Sequence, residues 1–178
     1  VDKSLVEKLC ITTLTDEKSK SKATQLLAWR NFDGLLQLTW DNKQKYAKKH
    51  GYLLFDESDQ LDTRRPASWS KIRAVQRLLR EEHCSWMDAD TVIMNSEISL
   101  QDFLPSGNQY DFLLTKDDGG GYSAGAWIIR NSEWSLQVLE SWWNLKSYVK
   151  PAGLARSGDN DALKALLHGM HDTFDQHC

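Results

Sequence analysis

Apolar and polar positions change their period several times along the chain, and each change marks an element. Leu9-Cys10-Ile11-Thr12-Thr13-Leu14 is a β-branched apolar run closed by a polar loop, which predicts a first strand. A helical pattern follows from about Ala23 to Lys49, with a break near Asp33-Gly34 and a glycine stop at His50-Gly51. Tyr52 to Phe55 reads as a second strand and Asp56 to Pro66 as a polar loop. Ser68 is a candidate cap for a helix from Trp69 to about Glu82, whose stripe is Ile72, Val75, Leu78 and Leu79. A strand then runs into Asp88-Ala89-Asp90, followed by Val92-Ile93-Met94. Ser99 to Leu104 forms a short helix stopped by Pro105. Asp111 to Thr115 is a strand, Lys116 to Ser123 a Gly-rich loop, and Ala126 to Ile129 another strand. Ser132 caps a helix carrying Trp134, Leu136, Val138, Leu139 and Trp142, and a last helix runs from near Asp159 to Leu167. Strands alternating with helices predict an α/β fold with a mostly parallel sheet flanked by helices. Ligands of such sheets lie outside the carboxyl ends of the strands, so Thr13, Asp88, Asp90 and the Gly119 to Gly125 loop are expected on one rim.

Composition narrows the function classes. The 178 residues suit one domain, and a net charge of -3 with no basic cluster argues against a nucleic-acid binder. Lys18 to Lys22 reads as a solvated loop. No apolar run approaches the ~20 residues needed to span a bilayer. The chain starts at Val1 with no signal peptide, so it reads as a piece of a longer protein whose anchor or targeting signal lies elsewhere. Cys10, Cys84 and Cys178 show no metal-type spacing. The first two are expected to be buried small hydrophobes, and the partner of Cys178 to lie beyond the end. Eight Trp residues are the compositional oddity. Indoles stack on sugar faces, but for most of them filling the core is the simpler expectation.

Asp88-Ala89-Asp90 is the sharpest chemical signal. Two carboxylates one residue apart in an apolar run would share a face of a strand and repel each other, which suggests a divalent cation between them. Hard oxygen ligands suit Mg²⁺ or Mn²⁺, with phosphate oxygens completing the shell. The plainer alternative is a turn whose Asp side chains bond the local backbone.

Several ordered motifs extend this signal. Asn42-Lys43, Tyr46-Ala47 and His50-Gly51-Tyr52 precede Trp69-Ser70-Lys71-Ile72. Asp88-Ala89-Asp90 with Val92-Ile93-Met94-Asn95 comes next, then Ser123-Ala124-Gly125, Ile129-Arg130-Asn131-Ser132 and Trp134-Ser135. In this order and spacing they resemble the galactosyl/mannosyl/xylosyltransferase family of fungi and plants, glycosyltransferase family 34, over nearly the whole chain. The resemblance implies a single GT-A type nucleotide-diphospho-sugar transferase domain over 1–178, incomplete at its C-terminus. It also implies a retaining enzyme that uses Mn²⁺ (or Mg²⁺), a nucleotide-sugar donor and a glycan acceptor. Such enzymes are typically type II membrane proteins of the Golgi lumen, here with the membrane reached only through a segment outside this chain. By the same resemblance Asp90 is the main metal ligand and Asp88 faces the metal or the donor. Thr12 and Thr13 flank the nucleoside, and Lys71 points toward the donor. Ser123-Ala124-Gly125 lies beside the donor sugar, with Ser123 where the family has Asn. Asp159 and Asn160, the latter where the family has Gln, are the candidates for stabilising the sugar face opposite the acceptor.

Bland alternatives stand beside these roles. Lys71 would otherwise be a helix-surface lysine and Asp159 an N-cap of the last helix. The family's C-terminal Gly-Asp-x-x-x-His segment is absent, and His168, His171 and His177 do not reproduce it. One rival enzyme class is a haloacid-dehalogenase-like phosphatase, with Asp88 as nucleophile, Asp90 as acid/base, Gly158-Asp159-Asn160-Asp161 as a late Mg²⁺ motif, and Thr115 and Lys150 between. A non-enzyme rival is a degenerate transferase domain that binds sugar or nucleotide.

Overall fold

The structure, a computed structural model, describes residues 9–16, 34–79, 83–105, 110–119, 121–151 and 157–170. Lys18 to Lys22, the first part of the long predicted helix, His171, His177 and Cys178 lie outside these residues. The first strand forms as β1 (Leu9–Thr13) and is buried throughout. The C-terminal half of the long helix forms as α1 (Leu35–His50). It stops where Gly51 takes a φ of 75°, a left-handed value that side chains resist, and the Tyr52 N–H returns to Ala47 O at 2.8 Å. Lys48, Lys49 and His50 in the last turn complement the helix dipole.

β2 (Leu53–Asp56) follows, then α2 (Ser70–Leu78), which emerges from a 3₁₀ turn over Ala67–Trp69. Ser68, the expected cap of α2, does not cap it. It lies inside that turn and donates its hydroxyl to Asp159 Oδ1 at 3.1 Å. β3 (His83–Met87) ends one residue before the acidic pair. Asp88 to Asp90 form a turn, not a strand, closed by the Thr91 N–H at 3.0 Å and Oγ1 at 2.7 Å on Asp88 O. Val92 to Met94 form no strand either. Ser99 and Asp102 make a reciprocal capping box on a 3₁₀ turn over Leu100–Phe103. β4 (Phe112–Lys116) and β5 (Tyr122–Ile129) form a hairpin. β5 begins at Tyr122 rather than Ala126, so Ser123 to Gly125 belong to a strand and the Gly-rich loop contracts to a short turn. α3 (Glu133–Asn144) carries the predicted Ser132 cap, whose hydroxyl accepts the Ser135 N–H at 3.1 Å. α4 spans Asp159–Gly169.

The strand order is β2-β1-β3-β5-β4. β1 pairs in parallel with β2 and β3, while β5 opposes both of its neighbours. The sheet is thus mixed, because a tight β4–β5 turn permits only antiparallel pairing. Alternation of side chains across the strands decides which helix covers which face. Leu9, Ile11, Met87 and Ile128 pack with Tyr46 and Ala47 of α1. Cys10, Trp86, Trp127 and Ile129 pack on the other face with α2, α3 and α4. Trp69, Trp86, Trp127, Trp142 and Trp143 are all buried in that second cluster, so these five fill the core as expected.

Cys10 and Cys84 are not free hydrophobes. They form a disulfide across directly paired positions of β1 and β3. The spacing gave no hint of it, because the pairing exists only once the two strands are neighbours. A bridge closing a 74-residue separation restricts the unfolded chain strongly. Reduction, or replacement of both cysteines by alanine, is expected to remove about 2–4 kcal/mol of stability, read from denaturant unfolding with and without reductant.

Candidate active site

The acidic turn leaves β3 at the carboxyl rim, between a buried lysine from each face of the sheet. Lys71, in the first turn of α2, is almost fully buried. Its ammonium donates to Asp88 Oδ1 at 2.9 Å and Ala124 O at 3.1 Å, and pairs with Asp159 Oδ2 at 3.2 Å. Burial alone would lower its pKa, but Asp88 and Asp159 outweigh burial and hold it above the ordinary lysine value. Asp159 shows the mirror image. Burial alone would raise its pKa, yet Lys71, Ser157 and Ser68 hold it below the usual carboxylate range. Asp159 is not the cap of α4. That position is Gly158, whose φ is 89° and where a Cβ would meet Tyr148 O at 1.8 Å. Lys71 is accordingly no surface lysine; it links the acidic turn to the start of α4.

Four indoles bond the same region. Trp86 Nε1 donates to Asp88 Oδ1 at 2.7 Å and Trp127 Nε1 to Ala124 O at 3.2 Å. Trp142 Nε1 donates to Asp159 O at 2.8 Å and Trp69 Nε1 to Ser157 O at 2.9 Å. Each ring fills core and spends its one polar atom on a residue of the site or its neighbour.

α1 holds the turn from the other face. Lys43 Nζ donates to Thr91 O at 2.7 Å, Ala89 O at 3.2 Å and Thr39 Oγ1 at 3.1 Å. Burial lowers its pKa to about 8, against the pull of Asp90 and Asp88. Asn42 takes both backbone groups of Ile93, and Tyr46 OH donates to Ile98 O at 2.8 Å. His50 Nε2 donates to Ser96 O at 2.8 Å, and Lys49 pairs with Glu97. These roles were not assigned from the sequence. Their signal was the polar set Thr39, Asn42, Lys43 and Tyr46 at helical spacing on α1.

What remains unpartnered faces outward. Asp88 Oδ1 is taken by Trp86 and Lys71, while its Oδ2 and the exposed Asp90 carboxylate accept no hydrogen bond among the described residues. Lys71 and Lys43 thus relieve the repulsion between the two carboxylates, and the case for a cation rests on the oxygens left over. No cluster of three or more His, Cys, Asp or Glu occurs among the described residues, so these residues offer a metal two carboxylates there. Beside them the Thr13 hydroxyl is fully buried with no partner among the described residues, and Thr12 Oγ1 lies 3.5 Å from Cys10 Sγ. The Ser123 hydroxyl accepts the Gly125 N–H at 3.2 Å, and Asn160 Oδ1 accepts the Ala124 N–H at 2.8 Å. Gly125 O in turn accepts the Asp88 N–H at 2.8 Å. Lys71, Asp88, Asp159, Asn160 and the Ser123 to Gly125 segment are thus joined by direct bonds, whereas Thr12, Thr13 and Asp90 share the rim through their positions at the ends of β1 and β3 alone. His168 is exposed on the last turn of α4. Thr115, assigned under the phosphatase alternative, lies on β4 with β5 between it and β3, and donates its hydroxyl to Ala126 O at 2.9 Å. That arrangement does not assemble a phosphatase site.

Comparison with known proteins agrees with this geometry. A model of the galactosyl transferase GMA12/MNN10 family matches residues 9–117 and 104–177. The probable alpha-1,6-mannosyltransferase MNN10 of Saccharomyces cerevisiae is 27% identical, over 79% of this chain and 45% of its own length. An uncharacterized alpha-1,2-galactosyltransferase of Schizosaccharomyces pombe is 26% identical, over 64% of this chain and 40% of its own. The chain thus spans less than half the length of these relatives. Among solved structures, a glycosyltransferase involved in glycosylating the major capsid of PBCV-1 superposes with a TM-score of 0.59 at 15% identity, covering 82% of this chain and 72% of that one. The glycosyltransferase GlyE of Streptococcus pneumoniae TIGR4 gives 0.51 at 16% identity, covering 96% and 44%. The fold is that of the GT-A-like glycosyltransferases.

Proposed function

Since the chain belongs to the galactosyl transferase GMA12/MNN10 family, we propose that it is the nucleotide-sugar-binding part of a retaining, Mn²⁺- or Mg²⁺-dependent glycosyltransferase that moves a hexosyl or pentosyl group to a glycan acceptor. The observation that carries this reading is the pair of outward carboxylates, Asp88 Oδ2 and Asp90, left without a donor among the described residues at the rim. Asp90 and Asp88 Oδ2 would hold the cation. When bound, it neutralises charge developing on the departing nucleoside diphosphate. Lys71 and Trp86 aim Asp88 by bonding its other oxygen. Thr12 and Thr13 end β1 on the same rim, one strand from Asp88, and in this reading their backbone flanks the nucleoside.

Ser123, Gly125 and Asn160 line the donor-sugar side. Asp159 has both oxygens engaged by Lys71, Ser68 and Ser157, so in this reading it positions Lys71, and Asn160 is left to approach the sugar. The Cys10–Cys84 disulfide supports an oxidising compartment such as the Golgi lumen. No helix among the described residues is long and apolar enough to cross a membrane.

Calorimetric titration of the intact protein with UDP and with GDP, each with and without Mn²⁺, tests the reading. Mn²⁺-dependent binding of one nucleotide is expected and would narrow the donor. Binding of neither would overturn it, and binding without sugar transfer would make the domain a binding module. Gly125 offers a finer probe. A Cβ there would lie 3.3 Å from Asp88 Oδ2 and 3.4 Å from Ser123 Oγ, so Gly125→Ala is expected to weaken Mn²⁺–nucleotide binding severalfold with little loss of fold.

A further inference from the structure

Lys43 is fully buried, yet none of its hydrogen bonds goes to a carboxylate. Burying an ammonium costs desolvation and rotamer freedom, and a methionine of similar length would fill the same space without that cost. The charge must therefore hold something. What it holds are the carbonyls of Ala89 and Thr91, the residues on either side of Asp90. Asp90 makes no hydrogen bond of its own among the described residues, so only its backbone decides where its carboxylate points. Thr39 reinforces the grip through Ala89 O at 2.5 Å, and Asn42 through Ile93 N at 2.7 Å and Ile93 O at 3.0 Å.

Resting on the reading of Asp90 as a metal ligand, we propose that Lys43 is a positioning residue that clamps the backbone on both sides of Asp90 from beneath the sheet, holding the carboxylate ready for the cation. Two effects of the ammonium oppose each other. Its charge repels a divalent cation, whereas its hydrogen bonds pre-organise the ligand. The sign of a substitution's effect therefore decides between them.

The test is Lys43→Met in the intact protein, read in two ways. In metal-free and nucleotide-free protein, hydrogen exchange at the amides of Thr91 and Ile93 is expected to accelerate at least tenfold, with the amides in the middle of α1 unchanged. In Mn²⁺ titrations followed by electron paramagnetic resonance with UDP or GDP present, affinity is expected to fall roughly tenfold, the lower end of losses for supporting residues around a metal. Unchanged exchange would overturn the clamp, and tighter Mn²⁺ binding would show that Lys43 acts by charge alone. Accelerated exchange in a protein whose wild type never binds Mn²⁺ would leave the clamp standing and remove the metal reading instead. If Lys43→Met does not fold, Lys43→Gln carries the same exchange test, because it removes the charge and shortens the reach to both carbonyls while keeping a polar group in the pocket. Unchanged exchange in that variant overturns the proposal too.

Discussion

Asp90→Ala is expected to lower Mn²⁺-dependent affinity for the nucleoside diphosphate about a hundredfold or more while leaving thermal stability essentially unchanged. Losing a supporting residue around a metal costs 10–100-fold as a rule, and a direct ligand should sit at or above the top of that range. The fold should not notice, because Asp90 is exposed and bonds no described residue, and such surface changes typically stay within about 0.5 kcal/mol. Titration calorimetry beside a thermal melt reads both quantities in one preparation. A variant that melts early, from a parent that never bound nucleotide, would return the pair to the plain role of a turn. Asp88→Asn makes a useful contrast. Asp88 Oδ1 also anchors Lys71 and Trp86, so that variant should lose stability as well as binding.

Lys71→Met should be the most damaging single change to the fold. It leaves the buried Asp159 without its counter-charge, and breaking one side of a buried pair costs about 3–5 kcal/mol. For a chain of this size that is a fall in melting temperature on the order of 10 °C. The figure rests on the Asp159 half of the bridge, since Asp88 is partly solvated and its half is screened. Adding Asp159→Ala to Lys71→Met should recover part of the loss, and a double-mutant cycle measures the coupling.

The pH dependence follows from the two shifts. The lowered Asp159 carboxyl contributes stability above its unfolded value of about 3.9, and that contribution is lost as pH falls through the lower folded value. The raised Lys71 ammonium contributes stability below its unfolded value of about 10.4, lost as pH rises through the higher folded value. Wild type should therefore keep this bridge intact from roughly pH 4 to pH 10. The deficit of Lys71→Met should narrow on acidification, since a protonated Asp159 needs no partner. Denaturant midpoints measured across pH would show both.

Most of the fold was legible from the sequence because hydrophobic period follows local geometry. β1, α2, α3 and α4 appear where the pattern changes, and the Ser132 cap forms as its position suggests. The failures fall where tertiary contacts override local signals. Ser68 carries an N-cap residue type, but Asp159, far away in sequence, claims its hydroxyl. β5 extends back through Ser123 to Gly125 because β3 and β4 offer ladders on both sides, which no propensity for Gly or Ser would suggest. The acidic pair looked like strand because apolar residues flank it, whereas Thr91 folds it into a turn. At the rim the residue types were readable and their wiring was not. The resemblance places Lys71 toward the donor, but its bridge to Asp159 exists only once α4 is in place, and Lys43, legible only as part of the Asn42-Lys43 motif, gains its role when the turn settles over it.

The bridge between Cys10 and Cys84 also acts on time. It joins residues that face each other across β1 and β3, so once formed it makes a one-residue slip between these strands covalently impossible. Such a slip would turn Thr12 and Thr13 to the wrong faces and move the whole rim out of phase with Asp88. Oxidation therefore favours the register in which Cys10 faces Cys84. A chain that pairs these strands out of register keeps two free thiols and can still rearrange, whereas one in register is locked with Thr12, Thr13 and the Asp88 turn already aligned.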